Sequence, residues 1–302
     1  MSPAPGSRVV VRRLLPSGQA TDVIGTLESD GDPLVVERDG ELHSIRRSDV
    51  VALKAIPPRP IRNRDIRALV RAEARCWPSL ERAEVDGWLC RSAGSLPGGR
   101  ANSAAPLSPA ASLDRLDGVR AWYTERGLPL RLQWVDRLAG RDRPGGLDRE
   151  SAVFVADGAR IATVSPHVTW SDAPSPGWLA LQSSSAVSAD WVRQVIGAVR
   201  FGEIVLDGDV AAAVRLSLTR DGDDPASGTL WAGIGSLVVD ERFRRHGLAT
   251  DLLRALAAEG IAHGAERCFL EVLESNSPAR AMYSRLGFTQ HHRYGYWTST
   301  AF

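Results

Sequence analysis

The stretch "VDERFRRHGLATDLLRALAAEG" (residues 239–260) constrains the fold more than any other part of the chain. An apolar strand pattern ends in a run of arginines, a glycine follows, and a helix begins whose first acidic residue is Asp251. A strand that feeds a helix in this way is the building unit of α/β folds. Ala249, Leu252, Leu253, Leu256 and Gly260 are spaced as one buried helix face. The amides at the mouth of a helix are unpaired and carry partial positive charge. With Arg244 and Arg245 beside them, that mouth is a place for an anion, and a phosphate there would receive several hydrogen bonds at once. Gly247 has no side chain to hold the anion off, and Ala249 is small. The phosphate-loop string GxxxxGK[ST] does not occur, and "GIG" (233–235) lacks the third glycine and following helix of a dinucleotide fingerprint. By itself an arginine-rich turn in an arginine-rich chain favours a solvated surface loop; the surrounding sequence reverses that preference.

A chain of 302 residues fits two or three domains. Its 43% hydrophobic and 24% charged content are ordinary for a soluble globular protein. A net charge of +1 supplies no field toward nucleic acid or an anionic membrane, so neither is an expected partner. Cys76, Cys90 and Cys268 form no CxxC pair and have no histidines at ligand spacing, so neither a disulfide framework nor a metal site is expected. No signal-peptide segment and no membrane-length apolar run is present. Together these features lead us to expect a cytoplasmic protein.

Within a first domain over 1–56, residues 7–56 read as short strands separated by turn signals at Pro16-Ser17-Gly18, Asp30-Gly31-Asp32-Pro33 and the hairpin dipeptide Asp39-Gly40. This predicts a small SH3-like β-barrel. The barrel holds no Phe, Trp or Tyr for an aromatic cage, and residues 1–60 carry eight basic and eight acidic side chains. A packing or oligomerisation module is favoured, which leaves room for a homodimer. "PPRP" (57–60) is a stiff linker. A helix is predicted over 61–80, ending near Pro78, with strands after it and a second helix over 112–127. "WYTERGLP" (122–129) aligns with "MYSRLGFT" (282–289), each a helix end with Gly four residues after Tyr, leading into an apolar strand. A duplicated unit is the better reading, with 61–150 as a degenerate first copy, 151–302 as the second, and "GRDRPGGLDRE" (140–150) as the joint. The second copy is predicted to contain strands over 151–157 and 159–170, a helix over 188–202, and strands over 209–219 and 229–240. A helix over 246–263, a strand over 267–273, a helix over 277–286 and closing strands complete it.

"RRHGLA" has the form R/Q-x-x-G-x-G/A, and "FLEVLESNSPARAMYSRLGF" (269–288) lies downstream of it. Together these resemble the GNAT superfamily of acetyl-CoA-dependent N-acetyltransferases, strongly over about 205–297. The layout is similar to an actinobacterial GNAT group with an SH3-like N-terminal module. The resemblance implies an α/β (α+β) GNAT fold with a central mixed sheet, and acetyl-CoA as co-substrate without a metal. It implies direct transfer of the acetyl group to an amine in a ternary complex. The competing reading is a non-catalytic acyl-CoA-binding sensor or scaffold. Protein lysine, N-terminus, amino acid and drug all remain open as acceptor.

Carried over by position, Leu237, Val238 and Val239 would offer backbone to pantetheine and thioester, where strand 230–239 splays from its neighbour. A backbone amide there would stabilise the oxyanion. The pyrophosphate would sit on the amides of Arg244, Arg245, His246, Gly247, Leu248, Ala249 and Thr250. Asn276 and Arg280 would be further coenzyme contacts. A lysine-like amine is free base only about once in two thousand molecules at pH 7, so a base helps, and the departing thiolate benefits from a proton donor. Tyr283 resembles the family's donor, against the alternative of a core tyrosine. Glu271, 12 residues before it, is the candidate base, with a raised pKa expected unless it is paired; a structural glutamate or a water chain is the alternative. His291 and His292, adjacent on a strand, should point to opposite faces as lone surface histidines. The first copy lacks the coenzyme motif, and Arg100, Asn102 and Ser103 are candidates to face the substrate cleft. Cys268 has no activating partner, which disfavours a covalent route.

Overall fold

A computed structural model describes residues 3–38, 40–57, 60–77, 79–94, 98–138, 140, 144–182 and 188–299. The hairpin residue Asp39, the helix stop at Pro78, linker residues 58–59 and residues 141–143 of the expected joint lie outside that set. The chain forms two compact units, Met1–Ile61 and Arg62–Phe302.

The first unit is a five-stranded antiparallel sheet of β1 (Arg8–Leu14), β2 (Ala20–Ser29), β3 (Leu34–Arg38), β4 (Glu41–Ile45) and β5 (Val50–Ala55), in the order β4-β3-β2-β1-β5. Residues of one parity turn inward, so Val9, Val11, Val23, Leu27, Leu34, Val36 and Ile45 form its core.

The second unit opens with α1 (Asn63–Cys76), β6 (Glu81–Val85), β7 (Trp88–Ser92), β8 (Ala105–Pro106), α2 (Asp117–Thr124) and β9 (Arg131–Val135). It continues with β10 (Asp148–Asp157), α3 (Gly158–Ile161), β11 (Thr169–Ser171), α4 (Pro176–Leu181), α5 (Ala189–Arg193), β12 (Ala198–Leu206), β13 (Asp209–Arg220) and β14 (Leu230–Val239). Then come α6 (Leu248–Ala262), β15 (Arg267–Leu273), α7 (Ser277–Arg285) and β16 (Thr289–Thr298). Strands β6, β7 and β8 form a small sheet. The main sheet is mixed and eight-stranded, in the order β11-β12-β13-β14-β15-β10-β16-β9, with β14 and β15 parallel. On one face, Leu252, Leu253 and Leu256 of α6 and Tyr283 of α7 pack onto Phe154, Val214, Leu216 and Leu270. On the other, α4 and α5 bury Trp178 and Val192 against Phe201 and Ala213, and α1 hydrogen-bonds through the Ala72 carbonyl to Thr219 of β13.

Residues 61–150 and 151–302 share this sheet, because β9 pairs with β16 at its end. The two aligned segments end their helices alike. Leu128 donates to the Tyr123 carbonyl and Phe288 to the Tyr283 carbonyl, both at 3.0 Å, around glycines with φ of +64° and +94°. Two expected elements differ. Residues 159–170 do not run as a strand, because Asp157 accepts from the Ala159 amide (2.9 Å) and caps the short helix α3. The helix expected over 188–202 stops at Arg193; Gly197 sits at φ +144° and β12 begins at Ala198, where β-branched and aromatic residues favour the sheet.

Candidate functional site

The parallel ladder between β14 and β15 runs from Trp231↔Arg267 to Ile234↔Leu270 and then stops, although β14 continues to Val239 and β15 to Leu273. The cause lies in β14. Its pairing with β13 jumps from Arg215↔Gly235 to Ala213↔Val238, so one extra residue is inserted, and Ser236 takes φ +51°. Such a bulge bends and twists the strand that carries it. The two strands therefore part beyond Ile234, and Leu237, Val238 and Val239 border the opening, all half-buried.

Next along the chain, Asp240 accepts from the Arg242 amide (2.9 Å) and turns the backbone out of the sheet. Gly247 is the N-cap of α6 at φ +85°, a conformation that costs any residue with a Cβ about 1–2 kcal/mol. A Cβ there would meet nothing within 4 Å, so in this fold the glycine is demanded by its backbone angle rather than by crowding. Thr250 and Asp251 donate back to the Gly247 carbonyl at 2.9 and 3.1 Å, which leaves the Leu248 and Ala249 amides ahead of the helical ladder. The basic side chains differ in their engagement. Arg242 is tied to Asp240 and Asp209 (both 3.0 Å), and Arg244 pairs with Glu241 (3.0 Å). The His246 Nδ1–H donates to the Phe243 carbonyl (3.2 Å). Arg245, exposed at φ +68°, has no partner among the described residues.

Asn276 caps α7, its Oδ1 accepting from the Ala279 amide (3.3 Å), and Arg280 donates to the Glu274 carbonyl (3.2 Å). Both fix the β15–α7 turn. The Tyr283 ring packs between Phe154 and Phe288, with centroids 6.4 and 6.0 Å away. Burial raises its phenol pKa, and its hydroxyl has no protein partner among the described residues.

Glu271 lies on the opposite face of β15 and is the hub of a buried cluster. Its Oε1 accepts from Trp77 Nε1 (2.9 Å), and its Oε2 accepts from Arg100 Nε and from the Tyr294 hydroxyl. Arg100 also stacks over Trp77, 4.7 Å from the ring centroid. The Glu271 side chain is 4% exposed and that of Arg100 is 27% exposed. Burial pushes the Glu271 carboxyl up, but Arg100 and the Tyr294 and Trp77 hydrogen bonds together hold it below the usual carboxylate range. The raised pKa expected for an unpaired Glu271 is therefore absent, and a base poised near neutrality is not what this carboxylate offers.

A cavity of about 140 Å³ lies beside this cluster, walled by Trp77, Trp191, Tyr294 and Tyr296, with Arg100 and Arg149 among its other lining residues. Gly99 is needed in that wall, since a Cβ there would come within 2.8 Å of the Tyr296 ring. Of the three residues expected to face a cleft, Arg100 lines it. Ser103 is instead buried beneath Arg91, and Asn102 Oδ1 accepts from the Ala93 amide (2.7 Å).

The histidines also depart from expectation. His292 is 4% exposed, and its Nδ1 lies 3.0 Å from Nδ1 of His291. Strand alternation should have separated them. However, β16 pairs with β10 as Val153↔His292 and then Phe154↔Gln290, which makes His291 the extra residue of a bulge. Cys268 is buried, and burial pushes its thiol up to about 12, far from a nucleophile's range. Among the described residues no group of three or more His, Cys, Asp or Glu side chains could hold a metal, and no helix is long and apolar enough to cross a membrane.

Sequence reasoning missed Trp77 and Tyr294. A tryptophan directly after α1 is the one signal that could have suggested the first.

A parted pair of parallel strands, followed by a helix that opens on free amides, defines the class as a GNAT-type acetyltransferase with a small β domain ahead of it. A solved GCN5-related N-acetyltransferase from Kribbella flavida shares the fold, with TM-score 0.54 at 14% identity over 79% of this chain and 96% of that one. A GNAT-family structure from Novosphingobium aromaticivorans does so with TM-score 0.52 at 19% identity over 77% and 99%. The family described as "Probable histone acetyltransferase Rv0428c C-terminal" matches residues 63–297, and its "N-terminal Sm-like domain" matches 3–54. The chain belongs to this Rv0428c family of acetyltransferases. It is 33% identical to "Probable histone acetyltransferase Rv0428c" of Mycobacterium tuberculosis over 97% of this chain and 95% of the relative. The small N-terminal domain is accordingly Sm-like, close to the SH3-like barrel expected.

Proposed function

We propose that the protein transfers an acetyl group from acetyl-CoA directly to an amine, with both substrates bound together. The observation that carries this reading is the end of the β14–β15 ladder at Ile234↔Leu270, one strand-end before the open amides of α6. Pantetheine would enter the parting and pair with Leu237, Val238 and Val239, and an amide there would receive the thioester oxygen. The pyrophosphate would lie on the amides of residues 244–250, with Arg245 as the side chain free to contact it and Arg244 available on release from Glu241. Asn276 and Arg280 would flank the coenzyme from the turn before α7. Tyr283 would protonate the departing thiolate; its raised phenol pKa keeps it protonated at neutral pH.

The aromatic cavity of Trp77, Trp191, Tyr294 and Tyr296 would receive the acceptor. In this reading Glu271 is the fixed anion of the site, and a water chain takes the amine proton. Calorimetry with coenzyme A and thiol release from acetyl-CoA with an amine panel test the proposal. No coenzyme uptake, or uptake without turnover for any amine, would sink it. Glu271→Gln separates the roles. An anchoring residue raises the acceptor KM and leaves the shape of the pH profile, whereas a base removes its acid limb and cuts kcat by about 10²–10⁴.

A further inference from the structure

One turn before Trp77 on the same side of α1 stands Glu73, which the reading above does not use. It is 3% exposed, and neither carboxyl oxygen makes a hydrogen bond among the described residues. His292 faces it, with Nε2 3.5 Å from Oε1, and that nitrogen is likewise unbonded among the described residues. The sheet beneath explains the arrangement. Val153 of β10 is opposite Glu271 on one side and His292 on the other, so the two share a face across three strands. Residues four apart on a helix lie one above the other. Trp77 therefore covers Glu271 while Glu73 covers His292, and α1 reads both ends of the row.

We propose that Glu73 is a positioning residue for the acceptor pocket: held as the neutral acid against His292, it leaves Glu271 as the single anion that fixes Arg100, Trp77 and Tyr294. The inference rests on the cavity beside Glu271 being the acceptor site. A buried carboxylate without a cation or hydrogen bonds is expensive, so the group keeps its proton. Burial and the Glu271 charge both push the Glu73 carboxyl well above its usual range, with Arg100 and Arg91 opposing. Burial holds His292 down to about 4, with Glu271 and Asp136 opposing and Arg137 assisting. It holds His291 down to about 3, assisted by His292, Arg267 and Arg137 and opposed by Asp65. Both rings are thus neutral at pH 7.

Neutral rings restrict the proton positions. If Glu73 donates to His292 Nε2, then His292 carries its proton on Nδ1 and donates it to Nδ1 of His291, which is protonated on Nε2. When Glu73 ionises, its carboxylate must accept, so the His292 proton sits on Nε2 and Nδ1 becomes the acceptor. His291 then carries its proton on Nδ1. The two rings switch tautomer together. His291 is the half-buried end of this path. One proton leaves Glu73, each ring shifts one, and one departs from His291. An ionised Glu73 then competes with Glu271 for Arg100, and the hold on Trp77 loosens.

The test is an NMR titration of the full chain, with labelled histidine and tryptophan, from pH 6 to 10. We expect His291 and His292 to exchange tautomers at one common midpoint, with the Trp77 indole N–H resonance moving at that midpoint. Neither change should appear in Glu73→Gln, which keeps the neutral form. A His292 that carries its proton on Nε2 throughout, or becomes imidazolium, would overturn the proposal, as would a Trp77 signal indifferent to the switch. The wild-type titration stands even if the variant fails to fold. Absence of acetyl transfer to every amine would count against the enzyme reading, which this ligand-free measurement does not use.

Discussion

Separating Arg100 from Glu271 should expose how much the pocket wall depends on a single ion pair. Arg100→Met leaves a carboxylate that is 4% exposed with no counter-charge, and removing one member of a buried pair costs about 3–5 kcal/mol. Glu271→Gln keeps an acceptor for Trp77 but strands a guanidinium that is 27% exposed; water offsets part of that cost, and about 2–3 kcal/mol is expected. The double variant buries no lone charge, so its loss should fall short of the sum of the single losses by about 2 kcal/mol. Equilibrium urea unfolding at pH 7 measures all four proteins. The Glu271 carboxyl sits below its usual range, so the pair's stabilisation is present above the unfolded value of 4.5 and is lost as pH falls through the folded one. The coupling should therefore shrink at pH 3. Single costs that add within about 0.5 kcal/mol would refute the claim that this pair holds the wall.

Tyr283→Phe should lower kcat by about 10²-fold or more with an unchanged coenzyme Kd by calorimetry; unaltered turnover would return Tyr283 to the core. Gly247→Ala forces a Cβ into φ +85°, so it should lower stability by about 1–2 kcal/mol and weaken coenzyme A binding in the same titration. His292 is depressed from 6.5 to about 4 by burial, so it favours folding above pH 6.5 and loses that contribution as pH falls toward 4. Relative to His292→Asn, the wild type should lose about 3 kcal/mol between pH 7 and 4 in urea unfolding.

The strand–turn–helix unit proposed for the coenzyme was legible as structure because its determinants are local. Gly247, the arginines before it and the stripe from Leu252 to Leu256 sit within one strand–turn–helix unit, and its strands and helix fall where the sequence places them. The pocket proposed for the acceptor was not, because its parts are brought together from the end of α1, the loop at Gly98–Ala101, β15 and β16. No spacing rule joins Trp77 to Glu271 across 194 residues. The bulges at Ser236 and His291 were equally invisible, since one inserted residue leaves the composition of a strand unchanged. Short helices misled in both directions: α3 depends on the Asp157 cap, and α5 stops at Arg193, with Gln194 already extended, inside a stretch that reads as helical further on.

Strand β9 contributes to the same sheet as β14 and β15, yet it arrives from the stretch that also brings Trp77 and Arg100. On the proposed reading, the walls of the pocket beside Glu271 can change through residues 62–138 while the turn ahead of α6 stays untouched. The reverse dependence is physical: excising that stretch would bare the edge of β16 from Tyr294 to Thr298, and an uncapped strand edge invites self-association. The pocket wall and the turn ahead of α6 are free to diverge in sequence, but the sheet they share binds them to one another.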